Sequence, residues 1–180
     1  AVELERLGAH DLAFIDKHWM AIPVGWGSAP LPPVARLSMW QKFAGIDVKK
    51  WFPDQPSTPD ASKEWTYAKQ LEVAELFHKA GYPIGFGCRP DDSTDAKQVW
   101  GATFGAFGAD LVNAKGEITT DSDNVMAVME YCQKLIKFMP PEAPQWDDAS
   151  NNRALISGKA AYIWNPPSAW AVAKRDAPEI

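Results

Sequence analysis

Residues 146–170 read Trp146-Asp-Asp-Ala-Ser-Asn-Asn-Arg-Ala-Leu-Ile-Ser-Gly-Lys-Ala-Ala-Tyr-Ile-Trp-Asn-Pro-Pro-Ser-Ala-Trp170. This order of residue types predicts a helix, a turn, a buried strand, a polar loop and the start of a second helix. Asp147 or Asp148 suits the N-cap of the first helix, because a carboxylate oxygen there accepts from the unpaired N–H groups of the first turn. Gly158 stands where a helix end needs a left-handed residue. Ala160 to Trp164 is an apolar run, long enough for a strand covered on both faces and too short for a helix. Asn165-Pro166-Pro167-Ser168 then stops the strand, since proline brings no N–H to a ladder. Ser168 is placed to cap a helix running through Ala173. A strand that passes through such a loop into a helix carries polar groups to the carboxyl edge of its sheet, where open α/β sheets bind ligands. Trp146, Trp164 and Trp170 flank the unit, either as flat surfaces for a polar ring-shaped molecule or as core.

Working outward, the helical stripe Val125, Val128, Met129, Cys132, Leu135, Ile136 and Met139 has a 3.6-residue period, with Asp121 or Ser122 as its cap and Pro140-Pro141 as its stop. Leu111 to Thr119 reads as a hairpin turning at a glycine. Pro83 to Cys88 is a buried strand, and Arg89-Pro-Asp-Asp-Ser-Thr94 is a polar loop before a helix from about Asp95 to Phe107. Trp100, Gly101 and Gly105 fall inside that helix, where close helix packing is the expected use of the glycines. A further helix spans Ser62 to Ala80 and ends at Gly81, after a turn-rich link over 50–61. Val34 to Phe43 reads as a short helix with Leu37 and Trp40 on one face. Trp19 to Val24 is a strand candidate, and the Gly- and Pro-rich stretch after it suits either a crossing between two bodies or a surface loop. Alternating strands and helices imply α/β layers with a mostly parallel sheet flanked by helices. The long apolar strands number only two or three, too few for a self-contained doubly wound domain, so part of the sheet is expected from further chain.

Composition narrows the function. At 180 residues, with 46% apolar and 23% charged side chains, the chain forms one globular domain or slightly more. No run approaches the ~18 apolar residues of a membrane span. A net charge of −5 without a basic cluster argues against nucleic acid as a partner. Neither a signal-peptide pattern nor an initiating Met is present, so the chain is expected to be a processed form or a piece of a longer one. Cys88 and Cys132 lack C-x-x-C spacing and are expected as buried thiols. His10, His18 and His78 lie on separate elements, so neither a metal site nor a cofactor is expected. No G-x-S-x-G elbow, P-loop or G-x-G-x-x-G fingerprint occurs. The pairs Asp91/Asp92 and Asp147/Asp148 could serve as a glycosidase's two carboxylates, but each sits at a helix N-cap, which is the simpler use. No catalytic residue is assigned.

From Asp110-Leu-Val-Asn-Ala-Lys-Gly-Glu-Ile-Thr-Thr-Asp-Ser122, through the amphipathic helix, to Trp146-Asp-Asp-Ala-Ser-Asn-Asn-Arg-Ala-Leu-Ile-Ser-Gly-Lys-Ala-Ala161, the chain resembles the extracellular solute-binding proteins of bacterial ABC importers. The similarity is to family 1, the maltose-binding-protein-like group, and extends from about Trp19 to Trp170. It implies a periplasmic-binding-protein-like fold of type II, in which two α/β lobes close on a solute, here incomplete. Residues 1–28 would be the end of the amino-terminal lobe and the interlobe crossing, and 29–180 most of the carboxyl-terminal lobe. The implied activity is non-catalytic capture of a sugar or polyol by a protein that is periplasmic, or extracellular and membrane-tethered, for delivery to ABC permease subunits. Carried over by position, the ligand contacts are Trp26, Gly27 and Ser28 at the crossing, Trp100 as an aromatic platform, and Asn165, Ser168 and Trp170 after the strand. Arg89, Asp91 and Asp148 are polar partners, and an Arg89 facing the cleft would also suit a glycerol phosphate. The prototype carries an aromatic at the Ser168 position, which Trp170 would replace. An incomplete lobe exposes sheet edges, through which two copies would pair.

Overall fold

The computed structural model describes residues 14–15, 18–19, 33–51, 63–90, 93–165 and 167–180. A two-residue pair, β1 (Phe14–Ile15) and β2 (His18–Trp19), forms a small antiparallel hairpin. The sheet that organises the rest is also small. β3 (Pro33–Ala35) runs antiparallel to β4 (Tyr162–Trp164), with Val34 opposite Ile163. On the other side of β4, Gly85 makes a single parallel bridge to Ile163. The expected strand over 83–88 is thus extended, buried backbone with one bridge. The described ladders are antiparallel, and parallel pairing is limited to that bridge.

Helices supply most of the body. Leu37–Met39 (α1) runs directly into a π turn, Trp40–Ala44, closed by Gly45 at φ 67°. Val34 lies in β3, not in the helix expected over 34–43. Then come α2 (Val48–Trp51), α3 (Tyr67–Lys79), α4 (Thr94–Ala106), α5 (Asp123–Ile136), a 3-10 turn (Ala143–Gln145), α6 (Ser150–Ile156) and α7 (Ser168–Asp176). α3 begins later than expected because the Thr66 hydroxyl accepts from Lys69 N–H and fixes the start there. Ser93 and Ser122 cap α4 and α5 in the same way. The Ser122 cap is a lone side-chain oxygen on an exposed helix start, so Ser122→Ala is expected to cost about 1 kcal/mol in urea denaturation, with the fold retained.

β4 is covered on both faces, as its apolar run requires. Tyr162 and Trp164 join the main core with Trp40, Phe77, Phe86, Val128 and Leu135. Ile163 faces the opposite side and packs with Ala154, Leu155, Ala160 and Ala169. In α5 the stripe is only partly internal: Val125, Val128, Cys132 and Leu135 are buried, whereas Met129 and Ile136 are exposed. Gly101 and Gly105 do not serve helix packing, because a Cβ at either would meet open space. Cys88 and Cys132 are both free thiols. Among the described residues, no helix is long and apolar enough to cross a membrane, and no cluster of metal-ligating side chains occurs.

Candidate solute site at the edge of the central strand

The carboxyl end of β4 is where several segments meet: residues 87–89 and 93–95, residues 146–151, and residues 164, 165 and 168. Residues 87–89 and 146–151 are tied by backbone, since Cys88 N–H and Arg89 N–H both donate to Trp146 O, at 3.2 and 3.1 Å. Gly87 is part of the same seam. A Cβ there would stand 2.8 Å from Ser93 Oγ and 3.0 Å from the Asp147 carbonyl oxygen. One of those neighbours is backbone and the other a capping hydroxyl, so neither can yield freely. Gly87→Ala is therefore expected to destabilise by about 1–3 kcal/mol in urea denaturation.

Asp148 was expected to cap its own helix, and instead caps a neighbouring one. It accepts from Ser93 Oγ at 2.8 Å, Thr94 N–H at 3.0 Å and Asp95 N–H at 3.2 Å, all at the start of α4. Burial alone would push its carboxyl up, but these donors outweigh that and hold it below the ordinary carboxylate range. Asp147 accepts from Ser150 Oγ, Ala149 N–H and Arg153 Nη2. The Ser150 bond is the largest of the causes that lower its pKa. Asp148 is thus a cap of α4, while Asp147 closes a turn before α6, whose N-cap position, Ala149, has no side-chain cap bond.

Beneath this seam lies a buried amide–carboxylate chain. Asn151, fully buried, donates from Nδ2 to Asp95 Oδ2 and to Trp164 O, each at 2.7 Å. Its Oδ1 accepts from Asn165 Nδ2 at 3.0 Å, and Asn165 Oδ1 accepts from Ser168 Oγ at 3.2 Å. Burial lifts the Asp95 carboxyl to about 6; the Asn151 bond pulls it back, and the nearby Asp148 charge adds to the rise. Neither Asn151 nor Asp95 was singled out from sequence. A polar residue on the inner face of a seven-residue helix was the available signal, since a buried amide needs partners.

The remaining expected contacts divide by location. Asn165 is buried and its amide is occupied on both sides, so it shapes the loop. Ser168 is the first residue of α7; its hydroxyl turns back to Asn165, and Pro167 takes the N-cap position expected for it. Trp170 is 63% exposed, with the Lys174 ammonium 5.0 Å from the ring centre. Arg89 is half-buried on the adjoining segment. Trp146 and Trp164 are packing residues. The Trp146 ring lies against Gly85, 2.6 Å from where a Cβ would be, and Trp164 meets Phe86 edge-on at 5.4 Å. Trp100 lies at the middle of α4, edge-on to Phe86, and lines an apolar groove of about 500 Å³ with Cys88, Met129, Cys132 and Pro141. A second concavity of about 560 Å³ is lined by Trp65, Tyr67, Gln70, Gln98, Thr103 and Trp164, none of them an expected contact. Trp26, Gly27, Ser28 and Asp91 lie outside the described residues, as does the interlobe crossing beyond Trp19.

Comparison with curated protein sequences gives no match. Among solved structures, the maltose-bound structure of MalE3 from T. maritima is similar, at a TM-score of 0.64 and 16% identity. The alignment covers 94% of this chain and 40% of that one, so the chain spans well under half the length of MalE3. At that identity the likeness is one of fold, and the fold is the periplasmic-binding type II architecture, of which the chain holds a part. Both the fold and the matching family are those of binding proteins. Matched from residue 13 to residue 180, the chain belongs to the family of bacterial extracellular solute-binding proteins.

Proposed function

We propose that this chain is the greater part of one lobe of a periplasmic or cell-surface receptor that captures a sugar or polyol and passes it to an ABC permease. The observation that carries this reading is the convergence of residues 87–89 and 93–95, residues 146–151, and residues 164, 165 and 168 at the carboxyl edge of β4, held by the Asp95–Asn151–Asn165–Ser168 chain. Such an edge is where α/β folds place ligands. The Asp148 carboxylate is spent on capping α4 and the Asp147 carboxylate on a local turn and Arg153, which favours capture over bond cleavage at this edge.

Within this reading Trp170 supplies an apolar face for sugar C–H groups, while Ser168 and Arg89 offer hydroxyl and guanidinium contacts. Trp26 to Ser28 and Asp91 would approach the same solute from the crossing and the loop before α4. The other half of the cleft belongs to the opposing lobe. Closure of two lobes on the solute is then stabilised only by contacts made in the closed form. Maltose in the similar MalE3 structure favours the carbohydrate class over other solutes.

The test is a tryptophan-fluorescence titration of the complete gene product with mono- and disaccharides, polyols and glycerol phosphates. Saturable quenching or a blue shift with a sugar or polyol supports the reading, and loss of that signal in Trp170→Ala locates it. A response to glycerol phosphates alone replaces the solute class, and a flat response to every compound overturns the assignment.

A further inference from the structure

We propose that Asn151 is the positioning residue of this site, fixing Asn165 and, through it, Ser168 at the start of α7 to the start of α4 through its contacts with Asp95, Trp164 O and Asn165. The proposal rests on the solute-receptor reading above and adds to it a residue that touches no solute.

The geometry makes Asn151 the junction. It is one side chain with one carboxamide, and it links the end of the strand that follows its own helix, 164–165, to Asp95, 56 positions away. It is fully buried, so no water replaces a lost partner. Asn151 Oδ1 also accepts from Asn152 N–H at 2.8 Å, which anchors the carboxamide to the first turn of α6. Asn165 is held on both sides, by Asn151 and by Ser168, the first residue of α7, which also carries Trp170. A displaced Asn151 amide therefore releases the start of the helix that carries Ser168 and Trp170. Apolar packing cannot substitute, because Trp164 O and Asp95 Oδ2 would be left without this donor in a buried place.

The link also carries a charge. The titratable groups facing Asp95 are Asp148, from the 146–151 segment, and Cys88, from the segment before α4. Ionised Asp95 accepts a charge-assisted bond from Asn151, which is stronger than the bond to a neutral carboxyl. The hub is accordingly tightest when Asp95 is ionised, and solute affinity is expected to fall as pH drops through about 6. Asn151 in turn holds the Asp95 pKa down, so its removal should move the transition to higher pH.

Two readouts on the complete gene product separate positioning from plain stability. The first needs no solute: the side-chain amide NMR signals of Asn151 and Asn165 are followed from pH 8 to pH 4.5. They should shift together with one midpoint, and Asp95→Asn should abolish that shift. The second is affinity for the solute found by fluorescence titration. Asn151→Ala should weaken it about tenfold or more, the loss expected when a buried hydrogen bond to a charged group goes. Its pH midpoint should move upward. Asn151→Ser, which puts a hydroxyl donor in place of the amide, should recover part of the affinity, and Asp95→Asn tests the hub where Asn151→Ala does not fold. Independent shifts of the two amides, or wild-type affinity and pH profile in the folded Asn151 variants, overturn the proposal. A wild-type protein with coupled amide shifts and no solute response overturns the receptor reading instead, and the positioning role with it.

Discussion

Trp40→Ala should lower the unfolding free energy by about 3–5 kcal/mol, the cost of emptying a large aromatic site in a packed core. Trp40 is buried in the π turn that follows α1, and its ring centre lies 5.3 Å from Trp65, 5.4 Å from Phe77 and 5.2 Å from Tyr162. It joins α1, the entry to α3, α3 itself and the central strand in one contact set. Its indole Nε1 has no hydrogen-bond partner, so the substitution breaks no polar bond and the loss is one of packing alone. The hole has few ways to close, since Phe77 and Tyr162 are themselves fully buried and held on other sides. Thermal unfolding should shift down by roughly 10 °C for a chain of this size. Trp170→Ala is the matched control: at 63% exposure its stability cost should stay within about 0.5 kcal/mol. Equal losses in the two variants would mean that the aromatic cluster around Trp40 is not the centre of the core.

That contrast between two tryptophans marks what the sequence could and could not convey. Periodicity located α5 and a turn glycine the hairpin at Val112 and Ile118, because both depend on nearest neighbours along the chain. The run to Trp164 was legible as a strand covered on both faces, since nothing polar interrupts it. Glycines were legible only in turns. Gly45 and Gly158 do close helices with positive φ, whereas Gly101 and Gly105 carry no packing role. The strand pairing was not legible, because register depends on which distant segments meet, and Pro33–Ala35 reached β4 from nearly the whole chain away.

The edge beyond β4 was legible as a meeting place of polar segments, and the bonds that hold it were not. The Asn-Pro-Pro-Ser stretch does follow a buried strand and lead into α7, and the resemblance names residues there. Capping, however, is a choice among partners in space. Asp148 sits one residue before Ala149, the position that precedes α6, yet its oxygens serve α4. No local rule predicts a cap delivered from more than fifty positions away. Asn151 has the same character: its neighbours in sequence describe a short amphipathic helix, and its three far partners describe a junction.

Asp95 should make the protein more stable as the pH is lowered from 8 to about 5, against the usual direction for a carboxylate. Its side chain is 4% exposed, and its pKa in the folded chain is raised from 3.8 to about 6. A raised acid binds its proton more tightly when folded, so between those two values the native state holds a proton that the unfolded chain has released. Stability therefore rises as pH falls through about 6 and levels off near 3.8. The full swing is on the order of 2–3 kcal/mol for a shift of this size. Below that window the sign reverses, because Asp147 and Asp148 have lowered pKa values and their contribution is lost as they protonate. A maximum between roughly pH 4 and pH 5 follows, set by one buried carboxylate on one side and two hydrogen-bonded carboxylates on the other. Urea midpoints measured at pH 8, 6 and 5 should climb in the wild type and stay nearly level in Asp95→Asn, which keeps an acceptor for Asn151 and carries no charge. The variant should also exceed the wild type at pH 8 by most of the swing. A wild-type profile that falls steadily from pH 8, or one that Asp95→Asn leaves unchanged, would place the Asp95 carboxylate in a better-solvated setting than the Asn151 contact provides.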